Sequence, residues 1–161
     1  MKTDYKKLAA AVLVCLSAGF IGSFFTVSSI PTWYATIQKP AFNPPSWVFA
    51  PVWTTLYILM GISAYLVWMK GLDKKEVRLA LWVFSLQLVL NALWSIIFFG
   101  AKELFSAFVE IVFLWIAIVA TIFLFNRISR NAALLLIPYL LWVSFAAFLT
   151  YSIWQLNMIK I

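Results

Sequence analysis

The residues of this chain that are able to do chemistry are mainly electron-rich aromatic side chains. Nine of the 161 residues are Trp, none is His and one is Cys. The absence of His excludes a Ser-His-Asp triad, an imidazole metal ligand and the usual protein ligand of haem iron. The single Cys excludes an internal disulfide and a thiolate metal cage. Stacking of a flat, apolar molecule on aromatic rings is the chemistry that these residue types favour.

Three helix faces carry aromatic or polar residues at matching depths. Trp53 and Tyr57 are four residues apart, so a helix places them on one face. A rise of about 1.5 Å per residue puts them about 9 Å and about 15 Å below the outer end of their helix, and puts Asn91 about 13 Å below the end of another. Trp142 lies near mid-membrane in a third helix, and Ala146 continues its face. We therefore predict one aromatic cavity. Packing of the rings and hydrogen bonding between helices by Asn91 are the alternatives.

Glu110 is the only acidic residue inside an apolar stretch of the sequence. A charged group in lipid is costly and is functional by default, unless protonation neutralises it. The sequence offers it no obvious basic partner within a span. Three interpretations therefore stay open for Glu110: a polar contact between helices, a protonated structural group, or a role in binding a ligand or a proton.

Membrane-spanning helices must position these residues, because 65% of the chain is hydrophobic and only 11% is charged. A soluble domain is about a quarter charged, and one of this size has too little interior to bury so much apolar surface. Spanning helices need about 20 mostly apolar residues, and continuous runs of that length favour a helical bundle over a barrel. We therefore predict an all-α integral membrane protein, a bundle of five transmembrane helices forming a single domain over residues 1–161. The predicted spans are 8–27, 48–69, 79–100, 104–126 and 132–157, with a kink at Pro138.

The distribution of Lys and Arg predicts which way the bundle is oriented. The N-terminus and the second and fourth loops hold nine of these residues, and the opposite side holds three. Cytoplasmic loops carry the excess of Lys and Arg, so we expect a cytoplasmic N-terminus and a C-terminus outside. The net charge of +7 is then a topology signal and does not favour nucleic-acid binding. A cleaved signal peptide is the alternative for the first span, but no clear cleavage site follows it.

One long connection, residues 28–47 on the outer side, is stiff and aromatic rather than polar and flexible. It holds four of the six prolines, and prolines reduce the entropy that a loop loses on ordering. Long ordered loops are usually lids or binding elements, so we predict a lid over the cavity. An aromatic anchor lying on the lipid headgroups is the alternative. The prolines are Pro31, Pro40, Pro44 and Pro45, and the aromatic residues between them are Trp33, Tyr34, Phe42 and Trp47.

Small residues in the first span form two small-xxx-small patterns. Ala18 pairs with Gly22, and Gly19 pairs with Ser23. Such patterns let two helix backbones approach closely, which suits a dimer interface in a membrane. We therefore predict a homodimer that forms through this face of the first helix.

Three sequence motifs, in the same order, resemble those of the TspO/MBR family, and the resemblance covers nearly the whole chain. The first runs along the loop into the second span: Trp33-Tyr34, then Lys39-Pro40-x-Phe42-x-Pro44-Pro45-x-Trp47-Val48-Phe49-x-Pro51-x-Trp53-Thr54-x-Leu56-Tyr57. The second is Gln87-Leu88-x-Leu90-Asn91-x-Leu93-Trp94-Ser95, and the third is Pro138-Tyr139-Leu140-x-Trp142.

The resemblance implies a dimeric five-helix bundle in a bacterial inner membrane, with a cavity that binds protoporphyrin IX and benzodiazepine-type drugs and needs no obligatory cofactor. Cholesterol binding is not expected, because Tyr151 is followed by no basic residue until Lys160. The two positions that the family links to light-driven porphyrin breakdown match Trp53 and Trp142. The ligand-contacting positions that the family implies match Trp33, Tyr34, Phe42, Pro44, Trp53, Tyr57, Asn91 and Trp142.

Three functions are compatible with the sequence. The first is a receptor or sensor that binds a porphyrin, metal-free by preference because the chain lacks His. The second is light-dependent porphyrin degradation at the two Trp residues. The third is a transporter of porphyrins or other small apolar molecules, which the sequence favours least because no inverted repeat is evident and intramembrane charge is limited to Glu110.

Overall fold

The computed structural model describes residues 3–158 of the chain, and every regular element within them is helical. Five helical segments are long and apolar enough to cross a membrane, which confirms the all-α, five-span prediction. The predicted orientation stays a prediction, and two of the residues behind it, Lys2 and Lys160, lie outside the described residues. The five segments are Tyr5–Ser29, Ser46–Trp68, Lys75–Ala101, Leu104–Ile128 and Arg130–Asn157.

The first two spans are joined by a partly helical loop. Helix α1 is Tyr5–Ser29, and its N-terminus is capped by Asp4, whose carboxylate accepts from the Lys7 amide at 3.1 Å. A four-residue helix, α2 (Trp33–Thr36), lies in the loop. A 3₁₀ turn, Ser46–Val48, then leads into α3 (Phe49–Trp68). We call residues 30–45 the outer loop, and the end of the bundle that it covers the outer end.

The other three spans are each built from one or two helices. The third consists of α4 (Lys75–Ser95) and a π-helical turn, Ile96–Ala101. It begins four residues before the predicted start, because its polar first turn is helical too. The fourth span is α5 (Leu104–Ile128), and the fifth consists of α6 (Arg130–Leu135) and α7 (Ile137–Asn157).

The break in the fifth span lies at Leu136, two residues before Pro138. Pro138 occupies the first turn of α7, where its missing N–H would have no partner in any case. Continuing α6 through this point would bring the proline ring against the carbonyl of the residue four positions earlier. The predicted distortion is therefore a one-residue interruption at Leu136 between two helices.

The inner half of the bundle contains a packed apolar core. Phe84 of α4 and Phe125 of α5 stack with ring centroids 5.6 Å apart. Met60 of α3 is fully buried in the same cluster. Ser63 Oγ donates to the carbonyl of Ala132 at 2.7 Å, which joins α3 to α6. This core fixes the helices whose outer halves form the candidate site.

The small residues of α1 pack mainly within the chain. Ala18 and Gly22 are buried, and Gly19 faces the ring of Tyr57. Ser23 alone is exposed, and its hydroxyl donates to the carbonyl of Phe20 at 2.8 Å. Close approach between helices of one chain therefore accounts for three of the four residues. A homodimer through this face stays a prediction.

Candidate functional site

A cavity of about 400 Å³ occupies the outer half of the bundle, between α1, α3, α4 and α7. Its walls are mainly apolar and aromatic, and the outer loop contributes Ile30 and Tyr34. This volume falls within the range of about 300–1,000 Å³ that is usual for small-molecule sites. The aromatic lining residues are Phe20, Tyr34, Phe49, Trp53, Tyr57, Trp94, Phe98, Phe99 and Trp142.

The structure brings five of the nine predicted ligand-binding residues to this cavity. Tyr34, Trp53, Tyr57, Trp142 and Ala146 all line it. They come from the outer loop, α3 and α7, so three separate parts of the sequence converge on one space. The shared depth predicted for these helices accounts for this convergence.

Two of the other predicted residues lie outside the lining and pack behind it. Trp33 contacts the ring of Phe98 edge-on, with centroids 5.7 Å apart. Phe42 stacks on Phe148 of α7, with centroids 5.2 Å apart and planes at 18°. Both rings therefore hold the outer loop on the bundle. Pro44 is also outside the lining, and its carbonyl accepts from the Asn43 side chain at 3.1 Å.

The floor of the cavity is an aromatic cluster. The ring of Trp53 stacks on Tyr57, with centroids 5.6 Å apart and planes at 29°. The same indole meets Tyr139 edge-on at 6.3 Å. Trp142 lines another wall and contacts Phe49 at 6.2 Å. Offset and edge-on pairs of this kind are favourable arrangements of aromatic rings, so the floor presents fixed ring faces to the cavity.

A buried chain of hydrogen bonds supports this floor. The Tyr57 hydroxyl donates to Asn91 Oδ1. Asn91 Nδ2 donates to the Tyr139 hydroxyl at 3.0 Å, and that hydroxyl donates to Gln87 Oε1 at 2.9 Å. Asn91, Gln87 and Tyr139 are at most 3% exposed. Asn91 therefore lies beneath the cavity and joins α3, α4 and α7.

The outer loop is ordered by contacts around Tyr34. Its hydroxyl donates to Asn43 Oδ1 at 2.7 Å, and Lys39 Nζ donates to its carbonyl at 2.6 Å. The Lys39 ammonium also lies 4.9 Å from the centre of the Tyr34 ring, within the range of a cation–π contact. Burial raises the pKa of Tyr34 to about 12, against the hydrogen bond with Asn43, which lowers it. Tyr34 therefore stays a neutral phenol at neutral pH.

The loop is also fastened to the end of α7. Asn157 Oδ1 accepts from the main-chain N–H of Gln38 at 3.1 Å, and Asn157 Nδ2 donates to the main-chain carbonyl of Gln38 at 2.9 Å. Because the loop also contributes Ile30 and Tyr34 to the lining, it covers the outer end of the cavity.

Trp47, by contrast, is 75% exposed, as an interfacial anchor would be.

The model of the TspO/MBR family matches residues 11–155 of this sequence. The chain belongs to the TspO/MBR family. It is similar to the tryptophan-rich protein TspO of Chlorobaculum tepidum, at 47% identity over 98% of this chain and 99% of the relative. The corresponding protein of Archaeoglobus fulgidus is 46% identical over 94% of this chain and 97% of its own length. The translocator protein of Ovis aries is 41% identical over 90% of this chain and 86% of its own length. The resemblance seen in the three sequence motifs is thereby confirmed.

The predicted site of this TspO/MBR protein omitted one residue beneath the cavity, Tyr139, and five of the aromatic residues that line it: Phe20, Phe49, Trp94, Phe98 and Phe99. Trp94 lines the cavity and stacks on Phe98, with centroids 5.0 Å apart. Tyr139 is fully buried and is the central member of the polar chain below the floor. The spacing of Gln87 and Asn91, four residues apart in an apolar helix, was the available signal for a polar face that needs a buried partner.

Glu110 lies apart from the TspO/MBR cavity. It is 7% exposed in α5 and does not line the cavity. Within residues 3–158, neither carboxyl oxygen has a hydrogen-bond partner. An unpaired buried charge is costly, so this environment favours the neutral acid among the three interpretations. Over the same described range, no group of three or more His, Cys, Asp or Glu side chains is placed to hold a metal ion.

Proposed function

We propose that the protein is a membrane receptor that binds porphyrins, with protoporphyrin IX as the test ligand, in the aromatic cavity. The observation that carries the proposal is the stacked pair Trp53–Tyr57 at the floor of a cavity of about 400 Å³. A flat macrocycle gains most from such ring faces. Membership of the TspO/MBR family supports a receptor or sensor role. The proposal places the protein in a bacterial inner membrane with the outer loop outside.

The lining also explains which ligands the cavity would select. The hydroxyl of Tyr57 is already engaged by Asn91, and those of Ser23 and Thr54 are engaged by carbonyls of their own helices. Within the described residues, the buried indole N–H groups of Trp94 and Trp142 in the walls have no hydrogen-bond partner, so they remain available to a polar group of the ligand. The rest of the affinity has to come from apolar and aromatic contact. Benzodiazepine-type ligands, which are also flat and largely apolar, fit the same description.

The test is a titration of purified protein with protoporphyrin IX in the dark, followed by Trp fluorescence. We expect saturable quenching, weakened in Trp53→Phe, because the larger indole face is lost from the floor. Trp82→Phe is the matched control, since Trp82 is 75% exposed and lies outside the cavity lining. Quenching that does not saturate in the wild-type protein would contradict the proposal.

A second candidate function is light-dependent porphyrin breakdown. It is favoured by Trp53 and Trp142 lining the same cavity, where a bound porphyrin would lie against oxidisable indoles. An illuminated porphyrin generates reactive oxygen species from O₂, and the role proposed for the two electron-rich indoles is to take part in the oxidation of the macrocycle by these species. We expect Trp53→Phe and Trp142→Phe to slow the loss of porphyrin absorbance under light. Unchanged rates in both variants, measured at ligand concentrations that saturate binding, would exclude the role.

A further inference from the structure

One side wall of the cavity differs from the others because its residues are exposed at the surface of the bundle. The lining residues on α4 and α7 are all buried or half-buried. The exposed lining residues belong to α1 and to the start of the second span. They are Phe20, Ser23, Val27, Ser46, Ala50 and Thr54. The cavity therefore reaches the lipid-facing surface between α1 and α3.

The inner halves of α1 and α3 are in close contact. A Cβ added at Gly61 of α3 would lie 2.5 Å from Cα of Val12, so the two backbones touch there. Nearer the middle of the bundle, Gly19 of α1 faces the ring of Tyr57. A molecule cannot pass between the helices at either level, because the backbone of Val12 meets Gly61 at the first and the ring of Tyr57 fills the space beside Gly19 at the second.

In its outer half, α1 packs against the third span, formed by α4 and the π-helical turn that follows it. Gly22 faces Ser95, and a Cβ at Gly22 would lie 2.9 Å from the serine Oγ. Seven residues further on, Ser29 Oγ donates to the carbonyl of Phe99 at 2.8 Å. Because α1 follows α4 towards the outer end, it separates from α3. The gap that this leaves is the exposed side wall.

The outer end of the cavity, by contrast, is covered. The outer loop contributes Ile30 and Tyr34 to the lining and is held by two hydrogen bonds between Gln38 and Asn157. A ligand that entered from the water above the bundle would have to displace this loop. A ligand that entered from the side would meet an existing gap.

We propose that ligands enter and leave the cavity sideways, from the lipid of the outer leaflet, through a portal between α1 and α3. This inference rests on the proposed function, because it concerns the same cavity. The rim is suited to molecules dissolved in lipid: Phe20 and Val27 are 75% and 69% exposed, and the Thr54 hydroxyl donates to the carbonyl of Ala50 at 2.8 Å. The ligand class is therefore flat, largely apolar molecules that partition into the bilayer.

Adjacent threonines provide a matched test. Thr54 and Thr55 are both exposed, and each hydroxyl donates to the carbonyl four residues earlier, but only Thr54 lines the cavity. Stopped-flow quenching by protoporphyrin IX is measured with the protein in lipid vesicles. We expect Thr54→Phe to slow association and dissociation together by about tenfold, because a narrower portal raises one barrier common to both directions. Because Thr54 also lines the cavity, the dissociation constant of Thr54→Phe is measured separately by equilibrium titration, and Thr55→Phe behaves as the wild-type protein.

A widening variant makes the test independent of how well Thr54→Phe folds. Phe20 and Phe24 are 75% and 76% exposed on α1, but only Phe20 lines the cavity. Phe20→Ala should accelerate both rates, and Phe24→Ala should leave them unchanged. A third variant, Gln38→Cys with Asn157→Cys, is used once mass spectrometry shows that oxidation has formed the disulfide that fixes the outer loop, and reduction of the same sample is its control. Exchange that stays as fast after oxidation supports the portal.

The outcomes separate the two proposals. Absence of saturable quenching in the wild-type protein rejects the proposed function. Saturable quenching with rates that do not distinguish Thr54→Phe from Thr55→Phe, or Phe20→Ala from Phe24→Ala, rejects the portal alone. A weaker affinity at an unchanged association rate in Thr54→Phe also overturns it. Exchange that stops when the loop is fixed shows that ligands enter from above instead.

Discussion

The buried polar chain below the cavity makes Tyr139→Phe an informative substitution. It removes a hydroxyl that accepts from Asn91 Nδ2 at 3.0 Å and donates to Gln87 Oε1 at 2.9 Å. The phenyl ring remains, so the edge-on contact with Trp53 is kept. The change therefore tests hydrogen bonding with little change in packing.

The expected loss of stability in Tyr139→Phe depends on the buried polar groups that the substitution leaves without a hydrogen-bond partner. A buried hydrogen bond contributes about 0.5–1.5 kcal/mol net, and a buried group left without a partner costs about 1–3 kcal/mol. In membrane proteins the average contribution is nearer 0.6 kcal/mol, because the unfolded chain finds other partners in the bilayer. Two bonds are lost, and both Asn91 and Gln87 are at most 3% exposed. We expect a loss of about 2 kcal/mol in the free energy of unfolding.

The assay is reversible unfolding in mixed micelles of Tyr139→Phe and of a control, Tyr151→Phe. Tyr151 lies on the same helix but is 42% exposed, so its substitution should change stability little. Gln87→Leu, alone and combined with Tyr139→Phe, completes a double-mutant cycle that isolates the Tyr139–Gln87 bond. If Tyr139→Phe were as stable as Tyr151→Phe, the chain would not hold the floor together and the reasoning would be refuted.

Three further predictions concern other parts of the molecule. Gly61→Ala should destabilise the protein by about 1–3 kcal/mol in the same unfolding assay, because the added Cβ meets the backbone of Val12, and a value near zero would disprove that contact. Glu110→Gln should unfold with nearly wild-type stability, because the amide mimics the neutral acid, whereas a large loss would indicate an ionised carboxylate. The neutral phenol of Tyr34 is favoured in the folded protein, since its pKa rises from 10.0 to about 12. Its contribution is therefore complete below pH 10.0 and is lost between there and about pH 12, so the stability of Tyr34→Phe should fall less steeply over that interval, and parallel pH profiles would contradict this.

Much of the fold followed from local composition. A run of about 20 apolar residues has few stable alternatives to a spanning helix, because lipid offers the backbone no hydrogen-bond partners. The boundaries were less well predicted. Lys75 begins α4 ahead of the apolar run, since a polar first turn can be helical above the lipid. Pro138 signalled a distortion, and the break itself lies at Leu136.

The site was predictable for residues whose position depends only on their depth in the membrane and on the helix face that they occupy. Helical periodicity fixes the face, and distance from the helix end fixes the depth, so the sequence placed Trp53, Tyr57 and Trp142 at the cavity. Phe42 and Asn91 show where this stops: one packs on α7, and the other bonds Tyr57 and Tyr139 beneath the floor. The sequence of one helix predicts neither which side chains of other helices contact a residue nor whether that residue lines the cavity or lies beneath it.

The sequence by itself determined the class of the molecule, its five spans, its family and an aromatic cavity under a stiff loop, because these depend on composition and short-range spacing. Only the tertiary structure decided which helices pack against one another and how they are tilted. Gly19 and Gly22 are small in either case, but their neighbours, Tyr57 and Ser95, belong to different helices. The tilt of α1 depends on many packing contacts between residues that are distant in the sequence. This tilt determines where the cavity opens to lipid.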